Sequence, residues 1–222
     1  MSSEPFTLIA GSGSDEKAYL VHKDLLCWYS PYFKKALGGP FKEANEVSMS
    51  LAETEVEVVG IFVDWLYRQC LPAEEDPRIK AICEALGEPT EDTHSFWTNL
   101  LTGIYLFGDR YDVPELRKHA MDRFYHVYGD PGYTYLPEYD VVLKAFNSLP
   151  RTSGLCQFLI DIYARRWHKD CDEDEVRARA ELPRDFLAGL MEEMADIIKA
   201  LTDDGEDMAV MPVMPKRCKY ET

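Results

Sequence analysis

Two short apolar runs open the chain. Residues 6–10, FTLIA, and 18–22, AYLVH, have strand chemistry, and the GSGSDE between them predicts a hairpin turn. Gly11-x-Gly13 also fits a phosphate-cradling loop, but such a loop needs a helix directly behind it, and here a second strand follows. From His22 the period changes: Leu25, Leu26, Tyr29 and Phe33 recur at helical spacing. Ser30 before Pro31 reads as an N-cap and first helical residue, so two short helices meet there, and the GGP at 38–40 ends the second. EVSMSL at 46–51 alternates Val47, Met49 and Leu51 with serines, as a half-buried strand does. Thr54-x-x-Glu57 predicts a capping box. The helix behind it carries a stripe of Val58, Phe62 and Trp65, flanked by Val59 and Leu66, and RQCLP closes it.

Residues 72–95 are polar, acidic and interrupted by three prolines, which predicts an excursion loop with one short helix at 79–86. Helical order resumes at FWTNLLTGIYLFGDRY, with Leu101, Ile104, Tyr105 and Gly108 on adjoining turns. Asp112, Pro114 and Glu115 mark a second start, followed by an apolar face of Leu116, Ala120, Phe124 and Val127. Three more helices are expected at about 138–149, 155–168 and 185–201, with stripes Val142/Phe146/Leu149, Leu155/Leu159/Ile162 and Leu187/Met191/Met194/Ile198. A charged connector separates the last two, and residues 202–222 have no period and read as a disordered tail.

Composition narrows the function. Of 222 residues, 40 are acidic and 24 basic, a net charge of −16 that repels a phosphate backbone. Direct nucleic-acid binding is therefore not expected; the only compact basic run is PKRCK at 215–219. The opening residues do not read as a signal peptide, and no apolar stretch reaches a membrane span, so a cytoplasmic or nuclear location is expected. Cys218 stands one residue too far from the end for a lipidation box.

Six scattered cysteines and five scattered histidines form no C-x-x-C pair; His168 with Cys171 is half a zinc site at most, so no metal or cofactor is expected. The sharpest catalytic candidate is Cys27 with His22. The two are five apart, off one helical face, and no glycine-rich oxyanion loop accompanies them. The corner reading, in which His22 ends a strand with its ring held by backbone and Cys27 packs as a small hydrophobe, fits better. A cysteine-dependent enzyme remains a remote alternative.

AYLVHKDLLCWYSPYFKKALGGPFKEA resembles the signature of the BTB/POZ family: His22 at a strand end, Leu25 and Leu26, then Ser30, Tyr32 and Phe33, then Phe41 and Glu43. The resemblance continues through VSMSL, through IFVDWLYRQCL with Trp65 and Tyr67, and through IYLFGDRYDVPELRKHA. It covers roughly residues 5–128, in a style similar to the stand-alone BTB proteins of filamentous fungi. It implies an α+β fold: a small mixed sheet flanked by a helical cluster, here a BTB domain over 1–128 with an inserted loop at 72–95, followed by a helical extension over 138–201. It implies a protein–protein interaction module without catalysis, whether a substrate adaptor joining a client to a cullin-type ubiquitin ligase, a self-assembling scaffold, or a nuclear regulator. By position in the family, a cullin would meet Arg68, Gln69, Leu71, Tyr111 and Asp112. Only MSSEP precedes Phe6, and Pro5 replaces the family's frequent aspartate; both speak against a strand-swapped homodimer, while leaving other homo-oligomers open.

Overall fold

A computed structural model describes residues 4–38, 46–87, 93–130, 135–167, 178–203 and 214–221. Phe41, Glu43, His168 and Cys171 lie outside them. The chain divides into two compact units, Met1–Ala120 and Met121–Thr222, earlier than the boundary expected at 128.

The first unit begins with the expected hairpin. β1 (Pro5–Ala10) pairs antiparallel with β2 (Lys17–His22). The Gly11 amide donates to the Thr54 carbonyl at 3.1 Å, and φ there is +76°, so a glycine is required. α1 (Lys23–Tyr29) and α2 (Pro31–Gly38) follow, then β3 (Ser48–Leu51), which returns parallel to β1 and gives the order β2-β1-β3. Met49 and Leu51 face the core as their alternation predicts, but Val47 stands outside the strand and is exposed, with only its carbonyl used, by Thr7.

α3 (Val56–Arg68) buries the whole predicted stripe from Val58 to Leu66. Its start differs from expectation. The N-cap is Glu55, which makes no side-chain cap, and the Thr54 hydroxyl instead lies 3.4 Å from that of Tyr111. A tertiary partner has displaced the local box. α4 (Pro77–Leu86) begins two residues before the helix expected at 79–86. Asp76 caps it by accepting from the Arg78 amide, and its Ile79 and Cys83 are fully buried, so these two positions of the predicted excursion belong to the core. α5 (Thr93–Arg110) and the first turns of α6 (Pro114–Tyr128) complete the unit.

In the second unit α7 (Tyr139–Ser148) and α9 (Arg184–Asp203) pack on the nearly all-buried α8 (Gly154–Arg166). Gly189 lets α9 approach closely, since a Cβ there would lie 2.5 Å from Ile160 Cδ1. Two expectations are corrected here. The Leu187/Met191/Met194/Ile198 stripe is not the packed face; α9 turns Phe186 and Gly189 inward instead. The tail is not disordered over 214–221: Arg217–Tyr220 form a 3-10 turn, and Met214 and Tyr220 are buried. Tyr220 packs edge-on against Phe158, and its hydroxyl donates to Asp161 at 2.8 Å.

Candidate functional site

The α1–α2 corner turns on Ser30, which is fully buried. Its amide donates to the Leu26 carbonyl, ending α1, while its hydroxyl accepts from the Phe33 amide at 2.9 Å, starting α2. The same hydroxyl donates to the Tyr111 carbonyl at 2.6 Å, which ties the corner to the turn between α5 and α6. From there an aromatic column runs inward. Tyr32 sits edge-on to Tyr111; Tyr111 stacks on Phe33 and tilts against Phe107; Phe62 links Phe107 to Trp65. Trp65 ends the column and donates its Nε1–H to His119 Nδ1 at 2.8 Å, so the other ring nitrogen of His119 carries the proton.

Catalysis finds no machinery at the opening stretch. The His22 Nδ1 lies 2.8 Å from the Tyr67 hydroxyl, which also accepts from the His22 amide, so a side chain rather than backbone holds the ring. Cys27 points its thiol toward the Phe33 carbonyl, 4.0 Å away. Burial pushes that thiol above its ordinary value, with Lys23 opposing, which is the wrong direction for a nucleophile at neutral pH. Leu25 is half-buried; Leu26, Ser30, Phe33 and Trp65 are core; Tyr32 and Tyr67 reach solvent.

The five candidate partner residues separate into three kinds. Leu71 is 3% exposed and Tyr111 8% exposed, so both are core, and the expectation that they touch a partner is corrected. Gln69 holds the left-handed C-cap of α3, its side-chain amide donating to the Trp65 and Leu66 carbonyls. Arg68 and Asp112 do face solvent; Arg68 pairs with Asp64 at 2.7 Å, and Asp112 holds a left-handed turn at φ +47°.

Two surface features escaped the sequence reading. Trp28 on α1 is 80% exposed. The available signal was its position off the Leu25/Leu26/Tyr29/Phe33 stripe. The second is a groove of about 380 Å³ lined by Tyr19, Gly60, Asp64, Arg78, Ile82 and Leu86. Burial, then the charge of Glu57, pushes the Tyr19 phenol there up to about 12, and its hydroxyl donates to the Val56 carbonyl. Arg78 closes one wall by pairing with both Asp64 and Asp76. Among the described residues no cluster of three or more His, Cys, Asp or Glu could hold a metal, and no helix is long and apolar enough to cross a membrane.

A hairpin with a parallel third strand, followed by helices that bury an aromatic column, defines a small α+β domain. Residues 6–86 match the BTB/POZ domain family model. A similar protein is BTB/POZ and MATH domain-containing protein 5 of Arabidopsis thaliana, 26% identical over 99 residues. That match covers 45% of this chain but only 23% of the relative, so the chain spans well under two thirds of its length. The family is one of protein–protein interaction modules, not of enzymes.

Proposed function

We propose that this chain is an adaptor that presents a client to a cullin-type ubiquitin ligase, in the cytoplasm or nucleus, in the manner of stand-alone fungal BTB proteins. The observation that supports this reading is the corner where the half-exposed Tyr32 ring sits edge-on to Tyr111 beside the exposed Asp112. The corner is held rigid by the Ser30–Tyr111 bond, so a partner meets a preformed surface and orders little on binding. Arg68 supplies a second solvent-facing charge at the end of α3. Contact with a cullin then runs through Tyr32, Arg68 and Asp112, while Leu71 and Tyr111 shape the surface from beneath. Calorimetric titration with the N-terminal domain of the cullin that BTB adaptors use tests this: micromolar or tighter binding is expected, and absence of heat rejects the ligase role.

A second reading, a self-assembling scaffold, is favoured by Trp28. A ring this exposed is the residue type that anchors protein interfaces. Light scattering on the free protein and on Trp28→Ala decides it: an oligomer lost in the variant supports it, and a monomer in both removes it.

A further inference from the structure

The helix α9 carries two apolar faces, and the described residues cover only one. Phe186 and Gly189 pack inward, and Glu193 is tied to Arg165 of α8 at 2.8 Å. The other face keeps the regular stripe Leu187, Met191, Met194, Ile198, Leu201. Its alternating steps of four and three are the seam spacing of a coiled coil. Leu187 is 38% exposed, Met191 72% and Ile198 55%, with Met194 and Leu201 half-buried. Ala188 and Ala195, both exposed, run alongside. An uncharged, methionine-bearing ridge of this kind is apolar surface with no partner of its own among the described residues.

We infer that this ridge is a dimer seam, occupied by the same ridge of a second copy of the chain running antiparallel. The antiparallel register sets Leu187 opposite Ile198 of the second copy and Met191 opposite Met194, so the four central seam positions meet apolar ones, while Leu201 falls opposite Arg184 at the helix end. Ala188 then faces Ala195 of the second copy, which lets the two backbones approach closely. Charge selects the same arrangement. Asp185 near the start of the helix comes opposite Lys199 near the end of the other, and two-fold symmetry makes that pair twice. Glu192 meets its own copy at the dyad, where Arg151, its ion-pair partner, offsets the repulsion. A parallel pairing would instead set Asp185 against Asp185 and Lys199 against Lys199. The seam is separate from the BTB domain and does not rest on the cullin reading.

The test is sedimentation of the full-length chain from about 1 μM to about 100 μM, with four variants. A reversible dimer is expected. Met191→Glu should raise its dissociation constant at least about tenfold. Asp185→Lys and Lys199→Asp should each weaken it several-fold, and the two together should restore it. Asp185, Met191 and Lys199 are all exposed, so unchanged circular dichroism certifies folding. A monomer across the whole range overturns the inference, as does a dimer indifferent to Met191→Glu, or a double reversal no stronger than the singles. Loss of a dimer on Trp28→Ala with α9 variants unaffected would assign assembly to the BTB corner instead.

Discussion

The hydroxyl of Ser30 donates to the main-chain carbonyl of Tyr111, 81 residues away, while accepting from the amide of Phe33. One buried oxygen thus caps a helix and pins the turn that carries the candidate partner surface.

Ser30→Ala removes both bonds and leaves a buried carbonyl and an amide unsatisfied. The expected cost is about 1–3 kcal/mol of unfolding free energy, read from urea denaturation. An unchanged midpoint would mean that the corner is held by packing alone.

Leu71 is enclosed. Leu71→Ala should therefore destabilise by about 2–5 kcal/mol, measured by thermal or urea unfolding. Any loss of partner binding in a Leu71 variant should track its unfolded fraction rather than a lost contact. Normal stability with selectively lost binding would return Leu71 to the interface.

Asp76 gives a pH signature. Hydrogen bonds from Arg78 hold its carboxyl down to about 2, against an ordinary value near about 3.9 in the unfolded chain. A carboxyl depressed in the folded state stabilises above its unfolded value, and that contribution fades as pH falls from about 4 through about 2. Asp76→Asn should cost up to about 1 kcal/mol at neutral pH by weakening the α4 cap and the Arg78 pair, and should flatten the acid limb of the stability curve. Parallel curves for both proteins below pH of about 4 would contradict this.

Much of this architecture was legible because it is local. The hairpin, the Ser30–Pro31 junction and the Val58–Trp65 stripe each depend on residues a few positions apart, and each stands where the pattern puts it. What the sequence did not disclose depends on distant partners. Thr54 gives up its capping box because Tyr111 is within reach. Leu71 and Tyr111 read as surface by position in the family, yet the column of Phe33, Phe107 and Phe62 draws Tyr111 inward. α9 has two apolar faces, and its periodicity could not say which one α8 would cover.

Tyr220 illustrates the same point within a stretch that reads as featureless. Its hydroxyl and the Lys219 ammonium both reach the buried Asp161 carboxylate, at 2.8 and 2.7 Å, and burial followed by that negative charge pushes the phenol far above its ordinary value. Tyr220→Phe should cost about 1.5–3 kcal/mol, the worth of a hydrogen bond to a charged group. Cys218→Ser on the exposed side should stay within about 0.5 kcal/mol. Calorimetric unfolding of the two variants compares them, and equal stability would show that the C-terminal turn adds nothing.

The central claim is that the Tyr32–Asp112 corner and Arg68 receive a cullin. Its most direct measurement is calorimetric titration of the cullin N-terminal domain into the wild-type chain and into an Arg68→Glu, Asp112→Asn double variant, since asparagine tolerates the left-handed turn at 112. The account predicts micromolar or tighter binding by the wild type and at least about tenfold weaker binding by the variant, at matched melting temperature. No heat from the wild type, or equal affinity in both, would contradict it.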